Sequence, residues 1–306
     1  MIMKIAFIGG VRFSHELLST ILSKGWNVSV VFSYNDSKEK YYSDIASFSE
    51  LTKKYSVRYV QVDNINDPEN IKILKEIKPD LILVMGWSQL LKNEIIRIPK
   101  FGVIGSHPTE LPKYRGRAPL SWSILKNLKE SALTFFYIDE GVDNGDILDQ
   151  KKFDISDEDD ATTLYKKIIT LGKEMILKNL VLLEDNNVSR KKQMENKFIE
   201  NWPKRTIKDG EINWNNSSEE IHRLIRATTN PYPGAFTKFK NEKLIIWSSK
   251  FVINDDDKPG VLKEIEDDGV SIGTGNGALK ILKASYKNKH ELGEIFSTKD
   301  VGEKLG

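Results

Sequence analysis

Short apolar runs alternate with helical patterns over the first 84 residues, and this alternation limits the possible folds more than any other feature. The apolar runs cover residues 4–8, 27–32, 57–62 and 80–84. The helical patterns between them cover residues 14–23, with Ser14 as the cap, then about 38–54, then 68–77. This βαβαβαβ order predicts an α/β fold with a Rossmann-like, mostly parallel sheet and right-handed crossovers.

Ligands in such sheets bind beyond the carboxyl ends of the strands. The sequence places those ends at residues 9–14, 85–91, 105–108 and 139–145. The first loop contains Gly9 and Gly10 but lacks the G-x-G-x-x-G spacing of a dinucleotide site, and no P-loop pattern is present. A site at this edge is therefore expected to bind something other than a dinucleotide.

The pattern changes after the longest predicted helix, residues 160–184. Residues 188–198 are polar and basic and are typical of a connector, and a helix is predicted from residue 218 to 228. Five short strand patterns then follow from residue 235 onward, separated by Gly-containing turns. We predict a catalytic domain over residues 1–200 and a C-terminal region, residues 201–306, with a small OB-like β-barrel.

Composition excludes several classes of protein. The net charge is only +2, so bulk charge does not indicate a nucleic-acid partner, and none is expected. The absence of cysteine excludes thiol chemistry, disulfides and cysteine-based metal sites. The apolar runs are far shorter than the roughly 20 residues that span a bilayer. The N-terminus lacks a signal-peptide pattern. A cytoplasmic protein without membrane contact is expected, with a homodimer as the default assembly.

One of the four histidines stands apart. His15 and His222 fall within helical patterns and His290 lies in a Lys-rich loop, so structural roles are expected for these three. None has acidic or histidine neighbours at metal-ligand spacing, and no metal site is predicted. His107 instead follows an apolar strand and precedes a proline, at the mouth of the predicted sheet. A neutral imidazole there suits a general base or proton donor.

An acidic turn and a basic loop accompany His107 in sequence. Asp139, Asp143 and Asp146 all lie in the turn, and spacing alone does not choose among them, since aspartate and glycine also form ordinary turns. Lys113 and Arg115 lie in the proline-punctuated loop and could anchor an anion or simply be solvated. The pattern indicates an acid–base pair near an anionic substrate.

Four motifs occur in an order that is specific to one family. They are HPTELPKYRGRAPL at residues 107–120, DEGVDNGDIL at 139–148, NPYPGAF at 230–236 and IGTGNGALKIL at 272–282. Together they resemble the formyltransferase family that uses N10-formyltetrahydrofolate, and the resemblance covers nearly the whole chain. It implies the formyltransferase fold and transfer of a formyl group from the folate N10 to an amine.

The resemblance also assigns roles to residues. It implies that His107 stabilises the oxyanion and moves protons, and that Asp143 orients His107 and accepts a proton. The folate site that it implies comprises Met85, Gly86, Trp87, Leu90, Ile138, Asp139, Gly141 and Val142. The family motif is Asn-x-His, whereas this chain has Gly105 at the Asn position. The missing amide is an oxyanion donor of a kind worth about 2.7–4 kcal/mol in analogous sites.

The sequence identifies the acceptor amine less closely than it identifies the reaction. The K-Y-R-G-R-A-P-L loop is similar to that of the amino-sugar enzymes, and the near-neutral charge also favours a small substrate. We therefore expect a UDP- or dTDP-linked 4-amino-4,6-dideoxy sugar, with methionyl-tRNA as the alternative acceptor and an inactive binding module as the third reading. The residues expected to hold the substrate are Gly10, Arg12, Phe13, Ser14, Thr109, Lys113 and Arg115.

Overall fold

The structure is a computed structural model that describes residues 3–35, 43–194, 199–252 and 258–306. The chain forms two compact units. The first unit comprises Met1–Pro119, Glu130–Asp154 and Tyr165–Pro203, and the second comprises Leu120–Lys129, Ile155–Leu164 and Lys204–Gly306. The units are not continuous in sequence, because two short segments from earlier in the chain belong to the second unit. The predicted division at residue 200 stays a prediction.

The first unit is built on a seven-stranded sheet in the order β3-β2-β1-β4-β5-β7-β8. Its strands, with a separate pair β6 and β9, are β1 Ile5–Gly9, β2 Val28–Tyr34, β3 Arg58–Val62, β4 Leu81–Met85, β5 Val103–His107, β6 Tyr114–Gly116, β7 Glu130–Tyr137, β8 Ile147–Asp154 and β9 Glu200–Trp202. The first five strands of the sheet are parallel, and β7 is antiparallel to both of its neighbours, β5 and β8. The predicted mostly parallel α/β fold is confirmed.

Helices connect these strands. They are α1 Arg12–Ser23, α2 Ser49–Lys54, α3 Pro68–Ile77, α4 Asn93–Ile96, α5 Pro119–Leu125 and α6 Ala161–Glu184. α1 buries one face, including Leu17, Leu18 and Ile21, because its apolar residues recur at helical spacing. β1 and β4 are fully buried and read as continuous apolar runs, as central parallel strands do.

Two local predictions were wrong. α1 begins at Arg12, so Ser14 lies inside the first turn instead of capping the helix. The helix predicted over residues 38–54 is limited to α2, and residues 36–42 lie outside the described part. Residues 43–48 are not helical because their backbone bonds to the loop after β1: Arg12 N donates to Asp44 O and Ala46 N donates to Gly10 O. Tertiary hydrogen bonds override helix propensity there.

The position of the acidic turn also differs from the prediction. β7 runs antiparallel to β5, with Gly105 opposite Phe136 and His107 opposite Thr134. The turn after β7 therefore begins at the amino end of β5, where Ile138 N donates to Val103 O at 2.8 Å. It was expected at a carboxyl end, because a parallel strand was assumed. The turn nevertheless reaches His107 from its different starting point, as described below.

The second unit contains a five-stranded antiparallel sheet in the order β10-β11-β14-β13-β12. Its elements are α7 Ser218–Thr228, β10 Ala235–Phe239, β11 Glu242–Val252, β12 Leu262–Glu266, β13 Gly269–Gly273, β14 Ala278–Tyr286 and α8 Leu292–Ile295. Residues after Asp300 bridge the two edge strands, since Leu262 N donates to Glu303 O and Gly306 N donates to Lys238 O. All five predicted strands are present, in agreement with the OB-like expectation.

α7 begins where its sequence predicts. Ser217 caps it, accepting a hydrogen bond from Glu220 N, and the Glu220 carboxylate accepts one from Ser217 N in return. Its apolar side, Ile221 and Ile225, joins the core of the second unit. No helix among the described residues is both long enough and apolar enough to cross a membrane.

His222, on α7, makes the stability of the protein depend on pH. Burial, followed by the charges of Arg226 and Arg223, lowers its pKa from 6.5 to about 4. Between pH 6.5 and 4, His222 is therefore protonated in the unfolded chain but neutral in the folded protein. The free energy of unfolding falls as pH decreases through this window. We expect wild-type protein to lose roughly 2 kcal/mol more than His222→Gln between pH 7 and 5. Urea unfolding at both pH values measures this difference; equal losses would contradict it.

Candidate active site

His107 is the last residue of β5 and its imidazole is buried. The side chain is only 7% exposed, and its Nδ1 lies 3.7 Å from Asp143 Oδ2. That separation is too long for a direct hydrogen bond but short enough for a strong effect of charge. His107 Nε2 is buried without a hydrogen-bond partner among the described residues. A buried, unpartnered ring nitrogen is the atom that a ligand would be expected to satisfy.

The structure distinguishes the three aspartates of the acidic turn. Asp143 Oδ2 accepts a hydrogen bond from Gly116 N at 3.1 Å and is the carboxylate that faces His107. Asp139 Oδ1 instead accepts from Gly141 N at 3.0 Å, inside the turn. Asp143 has a φ of +51°, a left-handed conformation that aspartate tolerates better than most residues. The turn therefore aims one carboxylate at the imidazole and uses another to hold its own shape.

The protonation state of His107 follows from its surroundings. Burial lowers its pKa below the usual 6.5, and this effect outweighs the Asp143 carboxylate and a hydrogen bond with the Tyr114 backbone, which both raise it. The imidazole is therefore neutral at physiological pH. A neutral imidazole carries one N–H donor and one free lone pair, so it can both stabilise an oxyanion and accept a proton.

The basic loop after His107 brings one arginine into the site. Arg115 Nη2 donates to Gln193 Oε1 at 3.0 Å, while its Nε is buried and has no partner among the described residues. Lys113 points elsewhere and pairs with Glu110 at 2.8 Å. Thr109 is fully buried and its hydroxyl donates to Tyr114 O. Arg115 is thus the predicted substrate residue in this loop with an unused donor in a buried position.

Gly116 fixes the path of this loop. Its φ is +102°, and a Cβ there would lie 2.3 Å from Trp202 O. β6 and β9 pair directly at this point, and Tyr114 stacks on the Trp202 ring with 4.6 Å between centroids. Only glycine permits both the conformation and the close approach. The amide that supports Asp143 is held in place by this packing.

The predicted folate segment after β4 is shaped by an aromatic pair. Gly86 has a φ of +58°, and a Cβ there would lie 2.5 Å from Val11 Cγ2. Trp87 stacks on Tyr34 with 3.8 Å between centroids, and its Nε1 is buried without a partner among the described residues. Leu90, farther along, is 66% exposed. The segment therefore presents an apolar surface and one unused N–H group.

The predicted folate residues on the acidic turn show a similar combination. Val142 is 51% exposed, whereas Ile138 packs against the apolar core beneath. Asn93 Nδ2 donates to Glu140 Oε1 at 2.6 Å and ties the turn to α4. The turn therefore places one exposed apolar side chain, that of Val142, where a ligand could cover it.

The loop after β1 and the first turn of α1 are tightly packed. Ser14 is fully buried and its hydroxyl donates to Met85 O at 2.5 Å. Phe13 is buried, and its N donates to Tyr165 Oη at 3.1 Å. A Cβ on Gly10 would lie 2.1 Å from the Tyr34 ring. These residues position the loop, Arg12 is left exposed, and substrate contact at all four stays a prediction.

Apolar side chains occupy the space beside Gly105. A Cβ at this position would lie 3.0 Å from Ile138 Cδ1 and Cγ1 and 3.2 Å from Phe136 Cζ. Gly105 and His107 alternate with Ser106 along β5, so Ser106 points to the opposite face. The space that the family's asparagine side chain would occupy is therefore filled by Phe136 and Ile138, and Ser106 does not replace the amide.

Sequence reasoning missed two residues of the site. Gln193 lies in the segment read only as a polar connector, yet its amide bonds to the acidic turn and to Arg115. Tyr34 lies two residues beyond the predicted second strand and was given no role, yet it supports Trp87. Neither has a local signal, because both act through contacts distant in sequence. The described residues contain no group of His, Asp and Glu side chains that could hold a metal ion.

Comparison with known families gives two matches in sequence order. The formyl transferase family model matches residues 3–180, and the model of the formyl transferase C-terminal domain matches residues 205–297. The first match alone covers more than half of the chain. It includes β5, the basic loop and the acidic turn, and hence both His107 and Asp143.

Curated relatives match over nearly their full length. A methionyl-tRNA formyltransferase of Clostridium tetani is 32% identical over 294 residues, covering 94% of this chain and 93% of the relative. A methionyl-tRNA formyltransferase of Halothermothrix orenii is 31% identical over 300 residues, covering 95% and 94%. Both alignments extend through the two matched domains.

A solved structure shares the fold. The N-formyltransferase from Helicobacter canadensis, in complex with folinic acid and dTDP-3-aminofucose, has a TM-score of 0.67 and 22% identity, covering 92% of this chain and 100% of that one. At this level of identity the likeness concerns the fold alone. The family matches and the curated relatives agree with the motifs read from the sequence, and the chain belongs to the formyl transferase family.

Proposed function

We propose that this protein transfers a formyl group from N10-formyltetrahydrofolate, the formyl donor of its family, to the primary amine of an acceptor. The observation that carries the proposal is the buried pair His107 and Asp143, with an imidazole nitrogen left unpartnered among the described residues. Formyl transfer needs a group that can stabilise an oxyanion and handle protons in one place, and this pair provides it.

The proposed reaction uses the two residues differently. The acceptor amine attacks the formyl carbon, forming a C–N bond, and the bond between that carbon and folate N10 breaks. The amine loses a proton and N10 gains one. His107, which is neutral because burial lowers its pKa, accepts the amine proton at Nε2, and the resulting N–H donates to the oxyanion and then protonates N10. Asp143 acts through its charge at 3.7 Å, stabilising the protonated imidazole as it forms.

The folate is proposed to lie between the segment after β4 and the acidic turn. The residues proposed to hold it are Met85, Gly86, Trp87, Leu90, Ile138, Asp139, Gly141 and Val142. The exposed side chains of Leu90 and Val142 and the unused Nε1 of Trp87 support this placement. Most of the remaining contacts would come from backbone groups, since three of these positions have small or backbone-engaged side chains.

The acceptor best supported by the comparisons is methionyl-tRNA. The relatives that match this chain at 31–32% identity over both domains carry that name. The sequence pattern had favoured an amino sugar, and near-neutral charge had counted against tRNA. That argument concerns the whole chain, whereas tRNA binding depends on local cationic surface. Similarity across both domains therefore weighs more in the choice of acceptor.

A nucleotide-linked amino sugar is the second candidate, and specific residues favour it. Arg115 sits half-buried beside the catalytic pair with an unused Nε, an arrangement suited to a phosphate oxygen. The R-G-R sequence of the loop also sets this chain apart from the pattern expected of the tRNA enzymes. The sugar nucleotide would be a UDP- or dTDP-linked compound with a free amine.

A direct comparison of acceptors tests the proposal. Purified protein with N10-formyltetrahydrofolate is given initiator methionyl-tRNA or a panel of UDP- and dTDP-linked amino sugars, and kcat/KM is measured for each. We expect methionyl-tRNA to be formylated with the higher kcat/KM, and its rate to fall steeply with salt because phosphate contacts are screened. Faster turnover of a sugar would establish the second candidate. No formylation of any amine would refute formyl transfer.

A further inference from the structure

A segment far along the chain lies against both ends of the acidic turn. The Arg190 guanidinium is centred 3.7 Å from the Tyr137 ring, at the end of β7. Lys191 pairs with Ile147, at the start of β8, through two backbone hydrogen bonds of 2.9 and 2.7 Å. Residues 190–193, here called the clasp, are therefore fixed at the two points where the turn leaves and rejoins the sheet.

The side chain of Gln193 completes the clasp at the middle of the turn. Its Nε2 donates to Asp143 O at 2.9 Å and to Gly145 O at 2.8 Å. Its Oε1 accepts from Arg115 Nη2 at 3.0 Å. One amide thus uses both donors and its acceptor to join the loop that carries the Asp143 carboxylate to the loop that carries the half-buried Arg115.

We propose that Gln193 is a positioning residue for formyl transfer, holding Asp143 at its distance from His107 and Arg115 at the same site. The inference rests on the proposed function. Gln193 does not touch the reacting atoms; it acts on the backbone of residue 143, which adopts a left-handed conformation. Among the described residues, the carboxylate that this backbone carries accepts one hydrogen bond, from Gly116 N.

The charge of Asp143 provides a readout that does not require turnover. Among the described residues, Asp143 is the charged group that raises the pKa of His107, opposing burial. If loss of Gln193 lets the carboxylate move away, the His107 pKa falls further. The chain has four histidines, so its imidazole signals can be assigned by comparison with His107→Asn and titrated by NMR.

We expect Gln193→Ala to lower the His107 pKa relative to wild type, in the same direction as Asp143→Asn. In the double variant Gln193→Ala/Asp143→Asn, the pKa should match that of Asp143→Asn alone. Gln193→Met keeps the length of the side chain but cannot form the hydrogen bonds of the amide, so it should lower the His107 pKa as Gln193→Ala does. It provides the test if the alanine variant does not fold.

Turnover gives a second readout. A misplaced catalytic group typically costs about 10²-fold, and this loss should appear in kcat more than in KM for the folate. For the titration of His107, Gln89 offers a matched control because its amide also bonds to the backbone of another loop, donating to Asp63 O and accepting from Ile65 N. Gln89→Ala should leave the His107 pKa at its wild-type value.

The outcomes separate the two proposals. If wild-type protein formylates no amine, formyl transfer fails, while the NMR titration still decides whether Gln193 positions Asp143. An unchanged His107 pKa in folded Gln193→Ala or Gln193→Met would overturn the positioning role. So would a shift of equal size in Gln89→Ala, because the effect would then be a general consequence of loosening a loop.

Discussion

Replacement of His107 by asparagine is expected to lower kcat for formyl transfer by about 10²–10⁴-fold, the usual contribution of a positioned general acid–base group. Asparagine keeps a hydrogen-bond donor but cannot take up a proton. KM for the folate should change much less, because His107 is proposed to act on the transition state. Steady-state kinetics with the better of the two acceptors measures both constants.

His290 provides the matched control for this substitution. It lies in the second unit, is exposed, and contacts Ser285 Oγ at 3.0 Å. His290→Asn should retain wild-type kcat. Because His107 is buried, thermal unfolding of His107→Asn should accompany the kinetics to show that the variant is folded. A folded His107→Asn protein with wild-type kcat would contradict the proposed mechanism.

The same histidine predicts the pH profile of the wild-type enzyme. The neutral imidazole is the working form, and burial lowers its pKa below 6.5. Activity should therefore rise with pH through that lowered pKa and be fully developed at neutral pH. An acidic limb with its midpoint above 6.5 would show that His107 is protonated more readily than its burial implies.

Restoring the family asparagine at position 105 is expected to destabilise the protein and leave catalysis unimproved. A Cβ at this position meets Ile138 at 3.0 Å and Phe136 at 3.2 Å, and the amide would need still more room. Overpacking of this kind typically costs 1–3 kcal/mol, so Gly105→Asn should unfold at lower temperature or lower urea concentration. Its kcat should not exceed that of the wild type.

Truncating the Ile138 side chain should reduce the destabilisation caused by Gly105→Asn. Ile138→Ala alone removes apolar contacts and should destabilise the wild-type background, but it should cost less when Asn occupies position 105. A double-mutant cycle on the free energy of unfolding measures the coupling, expected at roughly 0.5–3 kcal/mol in favour of the pair. The double variant should also exceed Ile138→Ala in kcat if the amide reaches the oxyanion. Additive effects would show that Ile138 does not block the position.

The sequence predicted the parts of the fold that depend on local pattern. The four strands of the first 84 residues, helices α1 and α3, the capped helix α7 and the five C-terminal strands follow from periodicity and turn residues. The family motifs identified His107 and Asp143 together, although spacing alone left three aspartates open. The structure supports Asp143 because its carboxylate faces the imidazole and accepts the Gly116 amide.

What sequence reasoning missed depends on contacts between distant segments. The direction of β7 is set by its pairing with β5, and no residue within β7 indicates an antiparallel partner. Gln193 is one polar residue in a basic stretch, and its role arises only when residues 143 and 115 are brought beside it. The filled space beside Gly105 likewise depends on Ile138 and Phe136, which the sequence places some thirty residues away.

The reversal of direction at β7 has a consequence for loop length. The acidic turn is anchored where Ile138 N meets Val103 O and where Tyr137 N meets Asp146 O. Surface loops generally tolerate insertions, because closing a slightly longer loop costs little. Here an added residue between the two anchors would displace the carboxylate from the imidazole even if the fold were unaffected. Variation among proteins of this architecture should therefore alter side chains in this turn more readily than its number of residues.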